Sequence, residues 1–259
     1  MSKIIVQGFR YDEKSSFRKG PALAPPAIRK AYHSGSSNYY AENGIEVLPN
    51  HFVDKDDFEV DDYFDVATIT KKHLDLNKPI FTFGGDHSIT YPLVKAFHEK
   101  YGQLSILHID AHSDLYEHFE GDPYSHACPF YNILKDGLSN HLTQVGIRTL
   151  NIEQRENAKT FNVNICEMKD FGHFEMPSFK YPLYLSLDID ALDPAFAPGV
   201  SHHEPGGLST RQVLNIIQVI PVPIVGADLV EYNPNNDING MTAMVCAKLF
   251  KEIVVKMTT

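Results

Sequence analysis

The residues best equipped for chemistry fall in three short runs, each directly after an apolar stretch. The first is Asp110-Ala111-His112-Ser113-Asp114, which follows residues 104–109, a segment that reads as a buried parallel strand. If the chain stays extended, positions i, i+2 and i+4 share a face, so Asp110, His112 and Asp114 converge while Ala111 and Ser113 turn away. The second run places Asp188 and Asp190 two residues apart after the apolar segment 182–187. The third, Gly84-Gly85-Asp86-His87-Ser88, ends a strand with a glycine turn and delivers a histidine. Singly, each reads most simply as a cap, a turn or a surface pair. Together they set several carboxylates at strand ends, where unpaired charge is expensive, and a cation between them is the usual resolution. A donor set rich in carboxylate, with two imidazoles and no thiolate, favours an ion harder than zinc, and manganese fits best.

Three signatures, Gly84-Gly85-Asp86-His87-Ser88, Asp110-Ala111-His112-Ser113-Asp114 and Ser186-Leu187-Asp188-Ile189-Asp190-Ala191-Leu192-Asp193-Pro194, resemble those of the ureohydrolase family, the arginases and agmatinases. Segments 20–29, 124–130, 144–148, 193–202 and 240–248 extend the resemblance over nearly the whole chain. Of these, 124–130, 144–148 and 193–202 look most like the plant-type arginases, which are themselves similar to agmatinases. The resemblance implies an arginase-like fold and two manganese ions per subunit. It assigns His87, Asp110, Asp114 and Asp188 to one ion and His112, Asp110, Asp188 and Asp190 to the other, with Asp110 and Asp188 bridging. Water activated between the ions would attack a guanidino carbon, Asp114 would help aim it, His126 would shuttle the proton to the departing amine, and Glu231 would bind the guanidinium. Asp228 reads equally as a residue supporting the ligands or as a turn former.

The implied substrate is a small cationic guanidino compound: agmatine, giving putrescine, or L-arginine, giving ornithine, with urea released, in arginine or polyamine metabolism. Animal-type arginases hold the substrate's α-amino group through an aspartate after the Gly-Leu-Arg motif, but Thr149 follows Arg148 here. Their polar loop for the α-carboxylate is also missing, and the balance tips slightly towards agmatine. The alternatives are a related hydrolase of formiminoglutamate, guanidinobutyrate or guanidine itself, and a non-catalytic binding protein on the same fold. Loss of ligands would mark the latter, and every ligand position is filled. The family also implies a homo-oligomer, a trimer or hexamer.

These residues need a scaffold that brings several strand ends together. The 259 residues, 43% hydrophobic and 22% charged, suit one large α/β domain over residues 1–259. Strands are predicted at 3–7, 45–48, 79–83, 104–109, 143–147, 182–188 and 224–228. Helices are predicted from 27, after Pro25 and Pro26, and from the acidic 54–65 stretch to about residue 77. Others are expected from 88, near 127–137, 151–160 and 209–219, and from about 238 to 256. Residues 115–126 hold no clear element, which suits a site-building loop. The alternation predicts a three-layer α/β/α arrangement around a central, mostly parallel sheet. A net charge of −10 argues against a nucleic-acid partner. No apolar run reaches the roughly 18 residues of a membrane span, and the N-terminal apolar stretch is too short for a signal peptide. Three scattered cysteines indicate no disulfide framework. The expected location is cytoplasmic.

Overall fold

The computed structural model describes residues 4–258. Its centre is an eight-stranded sheet of β1 (Ile4–Arg10), β2 (Phe52–Glu59), β3 (Ile80–Phe83), β4 (Ser105–Ile109), β5 (His141–Ile147), β6 (Asn164–Glu167), β7 (Leu183–Asp188) and β8 (Ile224–Val230). The spatial order is β2-β1-β3-β8-β7-β4-β5-β6, and every recorded pairing is parallel. Strands β3, β4 and β7 are buried at every residue, as continuous apolar runs covered on both faces should be.

Seven α-helices cover the sheet among the described residues. One face carries α1 (Ala24–Tyr32), α6 (Thr210–Gln218) and α7 (Met241–Thr258) over a core that includes Phe81, Leu185 and Phe250. The other carries α2 (Asp65–Leu74), α3 (Thr90–Tyr101), α4 (Pro129–Lys135) and α5 (Ile152–Thr160) over Ile106, Phe97 and Tyr184. Local chemistry sets the helix starts. Pro25 opens α1, and α5 and α6 begin with capping boxes, Asn151 with Gln154 and Ser209 with Gln212.

The edges of the sheet depart from expectation. Residues 45–48 form no strand; only an isolated bridge joins Tyr40 to Glu46. The strand lies further on, in the acidic run read as a helix start: β2 is an edge strand whose burial nearly alternates. Arg29 of α1 reaches its carboxylates, pairing with Asp54 and lying 2.8 Å from Asp57, so tertiary pairing overrides poor strand propensity. The other edge strand, β6, has no signal of its own, being four residues of mixed character. The predicted closing helix starts late, at Met241, leaving Ile238 outside it, and position 3 of the first predicted strand lies outside the described residues.

Candidate metal centre and active site

Because all strands run one way, their carboxyl ends open on one side, and β3, β8, β7 and β4 are consecutive neighbours there. β3 leads to His87, β8 to Glu231, β7 ends in Asp188 before Asp190, and β4 leads to Asp110, His112 and Asp114. Four adjacent strand ends therefore bring the six candidate ligands and Glu231 to one place, the usual site position in open α/β sheets, and His126 reaches it from the loop between β4 and α4.

The convergence is not that of extended chain. β4 stops at Ile109, and Asp110 Oδ1 accepts the His112 N–H at 2.6 Å, folding the run into a bend in which Asp114 adopts φ +49°. Asp188 likewise accepts the Asp190 N–H at 2.8 Å at the start of a one-turn 3-10 helix, Ile189–Ala191. A short carboxylate that bonds its own backbone two residues on is the driving force in both turns. Glu231 also sits in the left-handed region, at φ +63°, with its N–H held by Gly85 O at 2.9 Å. Of the seven non-glycine residues in that region among the described residues, Asp114 and Glu231 belong to the site, where the backbone conformation aims their side chains. Gly85 is obligatory, because a Cβ there would lie 1.7 Å from Tyr11 O.

His87 Nδ1 faces Asp110 Oδ2 and Asp114 Oδ2 at 3.1 Å and Asp188 Oδ2 at 3.2 Å. It is fully buried and makes no hydrogen bond of acceptable geometry, while Nε2 meets Ser186 Oγ at 2.9 Å. Ser186 Oγ in turn donates to Asp228 Oδ1 at 2.7 Å, and Asp228 also accepts from Tyr184 and Thr90. Asp228 is thus no turn former: it steers His87 through Ser186. His112 Nδ1 lies 3.0 Å from Asp190 Oδ2 and 3.5 Å from Asp110 Oδ1. The two imidazoles with Asp110, Asp114, Asp188 and Asp190 make two adjoining donor sets that share Asp110.

Electrostatics points the same way. Burial, then the charges of Asp190 and Asp110, push Asp188 well above the usual carboxylate range, and burial raises Asp190. Burial opposes charge on His87, yet Asp110, Asp114 and Asp188 outweigh it and hold its pKa well above normal; His112 follows the same pattern, chiefly through Asp190. A buried like-charge cluster with an orphaned imidazole nitrogen fits a pair of divalent cations, which would displace these protons on binding.

His108, which the sequence reading passed over, is also at the centre, with Nε2 2.6 Å from Asp110 Oδ2. With His87 and Asp110 it forms a potential ligand cluster, but its other nitrogen decides otherwise. Gln144 Nε2 donates to both His108 Nδ1, at 2.9 Å, and Ser113 O, at 2.6 Å. His108 therefore carries its proton on Nε2 and donates to Asp110 rather than binding metal. A histidine inside an all-buried strand was the available signal.

The donor sets floor a cavity of about 190 Å³. His126 and Glu231 meet at its wall, Nδ1 to Oε1 at 2.8 Å, and Glu231 Oε1 also accepts the His87 N–H at 2.9 Å. Burial disfavours a charged His126, but Glu231 more than compensates and lifts its pKa to about 9. His126 Nε2 meets Ser16 Oγ at 2.8 Å, in a loop pinned by Asp86, which accepts the Lys14 N–H at 3.0 Å. Ser16, His202 and Glu204 line the cavity too, and His202 stands beside both His112 and His126. His203 instead donates through Nε2 to Pro198 O. Thr149, at the cavity wall, donates to Ala111 O at 3.3 Å.

A parallel α/β sheet that gathers buried carboxylates and imidazoles beyond its central strand ends is the scaffold of a metal-dependent hydrolase class. The chain belongs to the arginase family, whose model matches residues 2–255. It is 43% identical to the mitochondrial arginase 1 of Arabidopsis thaliana over 97% of this chain and 80% of that protein. It is 40% identical to the N(1)-aminopropylagmatine ureohydrolase of Thermus thermophilus over 66% of this chain and 61% of that one. The solved arginase of Medicago truncatula superposes with a TM-score of 0.93 at 40% identity, covering 99% of this chain and 87% of that structure.

Proposed function

We propose that the chain is a dimanganese ureohydrolase that cleaves the guanidino group of a small cationic substrate, agmatine by preference, releasing urea. The observation that carries this reading is the cavity lining. Glu204 and Glu231 line the cavity with carboxylates that the metal ions would not neutralise, and among the described residues no lysine or arginine lines it. Beyond the metal end such a lining favours a cation and offers a substrate α-carboxylate no lysine or arginine, so that arginine would lose solvation of its carboxylate with little compensation.

His87, Asp110, Asp114 and Asp188 would hold one ion and His112, Asp110, Asp188 and Asp190 the other, both sets rich in hard oxygen donors that suit manganese. When bound, such a pair makes water nucleophilic at neutral pH and offsets developing negative charge. The protein's own groups do the rest. Glu231 uses Oε1 on His87 and His126, which leaves Oε2 to accept from a guanidinium N–H. Asp114 overlooks the cavity from the metal side and can orient the attacking water. His126, bonded through Nδ1 to Glu231, is placed to pass on the proton that the departing amine takes up as the carbon–nitrogen bond breaks. Ser16 fixes the imidazole's far side.

The 43% identity to a plant arginase over nearly the full chain supports a second reading, L-arginine as substrate. Metal-loaded protein should be assayed for urea from agmatine, L-arginine and guanidinobutyrate, and for formamide from formiminoglutamate, with its manganese content measured. The expected result is urea from agmatine with two ions per chain. A kcat/KM for arginine about tenfold above that for agmatine would move the assignment to the second reading, and formamide alone would overturn both. A cytoplasmic location and a trimeric or hexameric assembly complete the proposal, resting on composition and family resemblance. Among the described residues no helix is long and apolar enough to cross a membrane.

A further inference from the structure

We infer that Glu204 is the residue that selects substrates by their far end, accepting the ammonium group distal to the guanidinium. The inference rests on the ureohydrolase reading and goes beyond it, because the ligands, His126 and Glu231 see only the guanidino end.

Glu204 lines the cavity, and its backbone is fixed on both sides. Arg148 donates to Glu204 O through Nε at 3.0 Å and Nη2 at 2.6 Å, and the same Nη2 donates to Asp190 O at 2.8 Å. One guanidinium thus sets the spacing between Glu204 and the metal-side turn. Downstream, Asp193 Oδ2 accepts the N–H groups of Gly206 and Gly207 at 2.6 and 3.2 Å. Leu208 then exchanges hydrogen bonds with Asp193 N and Ala191 O at 2.9 and 3.0 Å. Gly207 admits no side chain, since a Cβ would lie 2.6 Å from Asp193 N and 2.8 Å from Ala191 O.

Against this rigid frame the Glu204 carboxylate itself has no hydrogen-bond or ion-pair partner among the described residues. Every other carboxylate of the lining is engaged: Asp114 with His87, Asp188 and Asp190 in their turn and with imidazoles, Glu231 with His126. A carboxylate on a preorganised segment, half-buried and unpaired, is placed to meet a cation that arrives with the ligand. Agmatine and arginine both carry an ammonium at the end remote from the guanidino carbon. Guanidinobutyrate and formiminoglutamate carry carboxylates instead, which Glu204 would repel.

The test compares wild type and Glu204→Gln, both metal-loaded, on agmatine and on n-butylguanidine, which lacks only the distal ammonium. For agmatine kcat/KM should fall about tenfold or more, mainly through KM, while n-butylguanidine is cleaved equally by both. Binding of 1,4-diaminobutane, followed by calorimetry, should weaken by a similar factor. Equal losses on both substrates, or no loss on either, would overturn the assignment and leave Glu204 a solvated carboxylate at the rim. If the wild type releases urea from no guanidino compound, the ureohydrolase reading fails. The diamine titration still decides for Glu204 if the variant binds more weakly and against it if the two proteins bind alike.

Discussion

Gln144 donates to His108 Nδ1 at 2.9 Å, and this contact makes His108 a donor to Asp110 at 2.6 Å. The chain Gln144–His108–Asp110 runs across neighbouring strands β5 and β4, whose register pairs His108 with Gln144 directly. Phe130 stacks on the imidazole with ring centroids 3.8 Å apart, which holds the plane of the ring. With a metal bound, a hydrogen bond of this kind would fix the Asp110 carboxylate as a ligand and tune its basicity.

Replacing His108 by Phe keeps the aromatic stack and removes the donor. Manganese affinity is expected to fall about ten- to a hundredfold, measured by competition with a metal-sensitive dye, while circular dichroism stays native. Unchanged affinity would show that Asp110 is held by the metals and backbone alone.

Asp110 touches both donor sets, through Oδ1 towards His112 and Oδ2 towards His87, whereas of these two imidazoles Asp190 meets His112 alone. Asp110→Asn is therefore expected to deplete both ions and Asp190→Asn only one. Elemental analysis after dialysis against limiting chelator reads the difference directly. Equal stoichiometries in the two variants would contradict a shared Asp110.

The pair of His126 and Glu231 predicts a pH signature in metal-free protein. Folded His126 titrates at about 9, against about 6.5 for an unperturbed imidazole. Its proton is bound more tightly in the folded state, so the stabilisation is complete below about pH 6.5 and is lost as pH rises through about 9. Glu231→Gln removes the charge that raises the pKa while burial still lowers it. The stability gap between wild type and variant, from urea denaturation, should narrow across that window. A gap that widens with pH would show that another group governs it. With metals loaded, the same variant should lose several orders of magnitude in kcat/KM, on the order of the loss of a buried charge-assisted contact to the reacting group, and keep its manganese.

The sequence by itself determined the donor types and the class of scaffold. Apolar runs ending in carboxylates marked β3, β4 and β7 because a strand buried on both faces tolerates polar groups only at its end. The alternation of such runs with amphipathic stretches and capping boxes gave the parallel α/β arrangement. What the tertiary structure alone decided is which strand ends are neighbours. The order β3-β8-β7-β4 places Glu231 between residues far from it in sequence, a matter of long-range packing that no local pattern encodes. The edge strands were illegible for a related reason: β2 is held by pairing with β1 and by Arg29, against its own composition. The turns at Asp110 and Asp188 replaced extended chain because each carboxylate bonds the backbone two residues on, and the left-handed conformations of Asp114 and Glu231 persist only under surrounding constraint. The same dependence hid His108, Ser16 and Glu204, since each owes its place in the site to a partner on another segment: Gln144, His126 and Arg148.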